Sequence, residues 1–250
     1  MIDRDINGVE RPSGKREWGS EETTATIRGP FDIVSLQSPE PTFPVLWGHA
    51  ADRERSLVVE PDREGRVREG AADKATNVWR TARRLHFSRD FRLNSQSLAA
   101  CLTRMSTLGG RAWPNFLMAE LRHETVTVLW ANTTLGLLLF WWTGSVQQAG
   151  RACLTLSRLP RLRVLDPRTL TEVQFSRARE IFEEFRNRSL LPANEAWRDT
   201  TRQALDSAVL VDLLGLPASI LEPLAVLRRQ WCAEPSVHGG KSTQPGQAGG

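Results

Sequence analysis

The sequence predicts a mixed α/β protein whose helices gather toward the C-terminus, and three observations carry that prediction. Apolar and polar residues alternate over residues 84–94, the pattern of a half-buried strand. Residues 171–188 and 198–214 instead carry apolar stripes at helical spacing. With 250 residues, 40% hydrophobic and 25% charged, the chain has globular composition and the length to bury a core for those faces.

Taken in order, residues 1–28 are rich in Arg, Glu, Gly, Ser and Thr without a period, and are expected to form a flexible N-terminal arm. An α/β domain is expected over 29–168, a helical subdomain over 169–232 and a disordered tail over 233–250. From Gly29, the run GPFDIVSLQSPEPTFPVLWGH mixes apolar residues with prolines, which favours short extended pieces over helix. Residues 60–75 read as a solvated loop or hairpin around Gly65.

In the alternating segment, Leu85, Phe87, Phe91 and Leu93 share one face, and Arg84, His86, Ser88, Asp90, Arg92 and Asn94 the other. Arg89 interrupts the apolar face, so a turn or bulge is expected near Ser88–Asp90. The chain then runs through NSQSLAACL to a Gly109–Gly110 turn and the aromatic stretch RAWPNF. Thr125–Trp142 is strongly apolar, but Asn132, Thr133 and Thr134 interrupt it and His123 and Glu124 precede it. A buried helix, or a strand followed by a helix, fits better than a membrane span, which needs roughly 20 mostly apolar residues. The polar triplet reads as a satisfied buried turn, and Trp113, Trp130, Trp141 and Trp142 as core. Farther on, Ala178, Ile181, Phe182 and Phe185 line one helix, and Leu205, Val209, Leu210 and Leu213 the next, which stops at Gly215–Leu216–Pro217. Ser219 and Glu222 have capping-box spacing and open a last helix to about Cys232.

The same residues narrow the chemistry. The net charge of +4 permits nucleic-acid binding without requiring it. Cys101, Cys153 and Cys232 are odd in number and dispersed, which argues against a disulfide framework or zinc site and suits a reducing cytoplasm. Residues 1–19 lack the apolar region of a signal peptide. No G-x-G loop follows a strand in residues 29–60, and no phosphate-binding GxxxxGK[ST], H-E-x-x-H or G-x-S-x-G motif occurs. An acidic-Pro-Pro-aromatic tetrapeptide, which an amino-methylating DNA enzyme would need, is also missing; Trp113-Pro114-Asn115-Phe116 lacks its paired prolines. His49, His86, His123 and His238 have no metal-ligand spacing. No catalytic residue, metal or cofactor is therefore assigned. His49 and Asp52 could meet in a turn as a catalytic pair, although a solvated charged turn explains WGHAADRER as well. Glu180, Glu183 and Glu184 read as a solvated face paired with neighbouring arginines.

The stretches FRLNSQSLAACLTRMSTLGGRAWPNF, VTVLWANTTLGLLLFWW and QQAGRACLTLSRLPRLRVLDPRTLTEVQFSRAREIFEEFRNRSLLP resemble the C-terminal target-recognition part of bacterial N6-adenine-type DNA methyltransferases of restriction–modification or phage-defence systems. The resembling pieces are Leu129–Leu135, a basic linker Gln147–Arg151, a strand at Leu159–Asp166, a helix at Thr171–Arg188 and a closing helix at Arg202–Leu216, within residues 29–216. The resemblance implies a DNA-recognition module that binds double-stranded DNA and is associated with, or derived from, a methyltransferase: either a partner of a separate methyltransferase catalytic subunit or a split remnant of a longer gene. It does not extend to methylation, because the catalytic motifs are missing.

On that expectation Arg84, His86, Arg92, Asn94 and Gln96 face outward from the strand as readers of phosphates and base edges. Arg111 follows in the glycine turn, and Gln147, Gln148, Arg151 and Arg158 form a second cluster. A solvated face, or local hydrogen bonding in the case of Asn94 and Gln96, would account for the same residues. Two further classes stay open: an interaction or scaffold subunit, or gene remnant, docking on a catalytic partner, and a small hydrolase or nuclease built on His49 and Asp52.

Overall fold

The computed structural model describes residues 29–36, 42–110, 112–147, 151–155 and 158–234. The expected N-terminal arm, Arg111, Gln148 and all but the first two residues of the expected tail lie outside the described residues.

The fold is mixed α/β, with helices concentrated toward the C-terminus. Among the described residues nine strands run β1 Phe31–Val34, β2 Phe43–Leu46, β3 Arg63–Val67, β4 Arg83–Phe87, β5 Asp90–Arg92, β6 Ala100–Gly109, β7 Asn115–Phe116, β8 Ser145–Gln147 and β9 Arg151–Cys153. The α-helices are α1 Ala72–Trp79, α2 Leu121–Asn132, α3 Thr134–Thr143, α4 Glu172–Phe185, α5 Thr200–Ser207 and α6 Leu221–Ala233. Six strands make the larger sheet in the order β1-β3-β2-β6-β4-β7, antiparallel except for the β2–β6 pair. A separate antiparallel sheet has the order β5-β9-β8.

The alternating segment supplies the hinge between the sheets. Leu85, Phe87, Phe91 and Leu93 are all buried, but the chain bends at Ser88–Arg89, so Leu85 and Phe87 serve the large sheet and Phe91 the small one. The interruption expected at Arg89 thus becomes a change of sheet. The opposite face of β4 is not solvated as alternation implies. β4 lies inside the sheet, and the 112–116 segment covers it through Phe87 N–H to the Pro114 carbonyl, 3.1 Å. His86 is buried as a result, with Nδ1 3.1 Å from the Trp113 carbonyl oxygen.

Gly65 does not turn the chain. It sits in mid-β3, where an added Cβ would lie 3.2 Å from the Phe31 ring and 3.4 Å from Val45. The missing side chain leaves room for that ring against the strand. Here Phe31, Val45 and Leu108 meet Ala75 and Val78 of α1 in a small second core.

The apolar 125–142 region folds as α2 and α3, bent by 83° at Thr133. Among the described residues no single helix is long and apolar enough to cross a membrane. The polar triplet makes the bend. Asn132 accepts from Ala99 N–H at 3.0 Å and donates to the Ala100 and Val128 carbonyls at 2.8 Å. The Thr133 hydroxyl caps α3 by accepting from Gly136 N–H at 3.0 Å. Gly136 is required by proximity, because a Cβ there would lie 2.1 Å from the Trp130 carbonyl oxygen. Trp113 and Trp141 are buried as expected and Trp130 packs against the core, but Trp142 is 61% exposed.

Helix α4 opens on a capping box between Thr171 and Gln174 and buries Ala178, Ile181, Phe182 and Phe185. Helix α5 passes into a π-helical turn, Ala208–Leu213, that ends at Gly215 with φ +69°. Helix α6 begins one residue after a 3-10 turn, Ala218–Ile220, without a side-chain cap, so the Ser219–Glu222 box does not form. Leu159–Asp166 forms no strand either: it holds the 3-10 turn Leu159–Arg161, with Pro160 inside it. These helices share the main core with β4, β6 and the small sheet.

An ionic network ties the helices to that core. Asp206 accepts from Thr134 N–H at 2.7 Å, from the Thr134 hydroxyl at 2.6 Å and from Arg228 at 2.8 Å. Fully buried Arg202 donates to the carbonyls of Asn132 at 2.6 Å and Ser97 at 2.8 Å. Burial pushes the Asp206 carboxyl above its usual 3.8, against the pull of the Thr134 hydrogen bonds and the two arginines.

Candidate nucleic-acid interface

The small sheet joins two regions that are far apart in sequence. Its register puts Arg92 opposite Arg151, and Arg151 opposite Gln147, in one row across three strands. Directly paired residues share a face of the sheet. Asp90, Cys153 and Ser145 make the next row on that face. The row between holds Phe91 and Ala152, both fully buried, opposite Val146. One face of this sheet therefore enters the core and the other carries the polar row.

Charge on the small sheet and the segments that flank it is lopsided. Residues 89–92 and 151–163 together contain six arginines (Arg89, Arg92, Arg151, Arg158, Arg161 and Arg163) and one carboxylate, Asp90. Asp90 holds Arg151 at 2.9 Å. Its burial alone would raise the Asp90 pKa, but the Cys153 thiol and the Arg151 guanidinium bring the carboxyl below 3.8, so it stays charged. Arg92 is exposed, and its guanidinium has no partner among the described residues. Arg158 is exposed and donates to the carbonyls of Thr143 and Gly144 at 3.3 and 3.2 Å, which fixes it at the end of α3, beside the start of β8. Arg161 and Arg163, exposed on the segment that follows, were not singled out from the sequence, and neither was Arg89 in the bend.

The other expected readers are placed differently. Asn94 is exposed in the turn after β5. Gln96 is buried, and its side-chain oxygen accepts the Arg92 backbone N–H, so it fixes the turn and does not face outward. His86 lies inside the large sheet, where burial lowers its pKa to about 4 against the raising effect of its backbone hydrogen bonds, and Nε2 has no partner. Neither side chain is presented to solvent. Gln147 holds its register position in β8, and its side chain, like Gln148 and Arg111, lies outside the described residues. Arg84 stays with the large sheet, its Nε donating to the Thr103 carbonyl at 3.2 Å, and joins a separate pocket.

His49 and Asp52 do not form a pair. Asp52 is fully exposed and 3.8 Å from Arg55. His49 Nδ1 instead meets buried Glu54 at 3.2 Å, and Glu54 also accepts from Ala50 N–H at 2.6 Å and Trp113 Nε1 at 3.2 Å. His49 Nε2 is enclosed without a partner. Among the described residues no group of three or more His, Cys, Asp or Glu could hold a metal ion.

No protein-family model matches the chain, and no curated protein matches it. Among solved structures it superimposes on the type IIG restriction endonuclease BpuSI with a TM-score of 0.46 and 10% identity, over 82% of this chain and 31% of that one. The chain thus spans under a third of that neighbour's length. A likeness this distant assigns no function.

Proposed function

We propose that the chain is a DNA-contacting module in which the polar face of the small sheet meets the phosphate backbone, working beside a methyltransferase catalytic subunit in a restriction–modification or defence system. The observation that carries this reading is the six-to-one excess of arginine over carboxylate on the small sheet and the segment leaving it. Arg92 and Arg151 sit on strands whose opposite face is anchored in the core, and the other four arginines flank those strands, so the region meets the two demands of a backbone-contacting surface: cations and a rigid scaffold. Arg92 and Arg158 are the phosphate contacts, and Asn94 and Gln147 lie at positions from which an amide could read an adenine edge. The partnership with a methyltransferase rests on the sequence resemblance alone.

The test is fluorescence anisotropy with a random duplex. Arg92→Glu is expected to weaken binding at least tenfold, while Arg179→Glu, at an exposed position on α4, leaves it within about twofold. Equal losses for the two variants would remove the small sheet from the account. A docking role is favoured by a different observation. Leu121 and Val173 are 69% and 80% exposed beside the Arg122–Glu172 ion pair that joins the starts of α2 and α4. A folded chain that binds no duplex would make that role the leading one.

A further inference from the structure

A second basic site lies on elements outside the small sheet. Arg84 from β4, Arg104 from β6 and Arg186 just past the end of α4 line one cavity of about 200 Å³. Val58 and Phe182 supply apolar wall, and Thr103 and Asn187 neutral polar groups. The three arginines come from segments remote in sequence, so their convergence is a product of the fold and not of one basic run.

Each guanidinium is weakly engaged. Arg84 donates to a backbone carbonyl and has no carboxylate within ion-pair distance among the described residues. Arg104 meets Glu60 at 2.5 Å and Arg186 meets Glu183 at 3.0 Å, and both partners in each pair are well exposed. Exposed pairs of this kind contribute about 1 kcal/mol or less, so an anion placed among the three guanidiniums competes with them. Burial raises the pKa of the Glu124 carboxyl, which is 3% exposed and on which Arg84 and Arg83 also act. The C-terminus of α4 by itself favours cations, but the Arg186 carbonyl already accepts from Val58 N–H at 3.3 Å. Size narrows the ligand. Pockets that enclose drug-sized molecules run from about 300 to 1,000 Å³, so this one suits a small group, and planar guanidinium forks match phosphoryl oxygens.

We propose that the pocket of Arg84, Arg104 and Arg186 binds a terminal phosphoryl group, carried either by a nucleotide or by the 5′ end of a nucleic-acid strand. This does not rest on the small sheet's contacting DNA. The probe is inorganic phosphate, titrated into the full chain by calorimetry at constant ionic strength with chloride as the control. Saturable binding is expected, weakened at least tenfold in Arg104→Gln/Arg186→Gln, whose side chains are exposed enough to leave the fold intact. Arg84→Gln is expected to weaken it in the same direction. No saturation above the chloride control, or equal affinity in the double variant, would overturn the proposal. Two further arms identify the carrier. Tighter binding of a nucleoside monophosphate than of phosphate supports the nucleotide, and preference for a 5′-phosphorylated over a 5′-hydroxyl strand supports the strand end. Salt-sensitive duplex binding through Arg92 should persist in the double variant, which keeps failure of one site distinct from failure of the other.

Discussion

Acidification should destabilise the protein through His86. Its imidazole is buried between β4 and the 112–115 segment and held neutral, with a folded pKa of about 4 against 6.5 in the unfolded chain. Between those values the unfolded chain binds a proton that the folded one refuses. The stability contributed by His86 is therefore complete above pH 6.5 and is lost as pH falls toward 4, by about 3 kcal/mol. Asp206 and Glu124 act in the opposite sense. Their folded pKa values are raised, so what they contribute is present below the unfolded carboxylate value and lost as pH rises through the folded one. Comparing wild type with His86→Gln isolates the imidazole. Urea unfolding at several pH values from 7 to 4 should give a free-energy difference between the two that shrinks steadily with acid. The proton NMR signal of His86 in the wild type should titrate near pH 4. Parallel stability curves, together with a signal that titrates near 6.5, would refute the reasoning.

Two predictions concern packing. Asp206→Ala strands buried Arg228 and the Thr134 N–H and should cost about 3–5 kcal/mol by urea unfolding, while Asp206→Leu/Arg228→Met should cost less than the sum of its single substitutions. Additive losses would show that the pair is not coupled. Gly136→Ala places a methyl against the Trp130 carbonyl and should cost about 3 kcal/mol or more, the upper range for overpacking; a loss under about 1 kcal/mol would mean that the α2–α3 bend adjusts freely.

What the sequence revealed follows from how locally each feature is encoded. The alternation of Leu85, Phe87, Phe91 and Leu93 and the stripe of Ala178, Ile181, Phe182 and Phe185 were legible because each belongs to one continuous segment that faces the core. Strand β6 was not, although it has ten residues, because its ends are buried on both faces and Arg104–Ser106 are exposed together, so no period-two signal survives. Gly65 carries the mark of a turn, but its role is set by the Phe31 ring on a neighbouring strand. Arg92 and Arg151 could be named from sequence as members of two clusters, yet their meeting depends on the long-range β5–β9 pairing. The burial of His86 and Gln96 was hidden for the same reason: alternation assumes one solvated face, and the chain that covers β4 arrives from elsewhere. The pocket of three arginines left no sequence signal, since Arg84, Arg104 and Arg186 are each at least 20 residues from one another.

The most direct test of the small sheet as a DNA-contacting surface is the salt dependence of duplex binding by the folded chain. The account predicts a Kd on the order of 1 µM at low salt that weakens steeply as salt rises. In Arg92→Gln/Arg158→Gln the slope of log K against log salt should become shallower by about two, from the loss of two phosphate contacts. Absence of binding at low salt, or the same slope in wild type and the double variant, would contradict it.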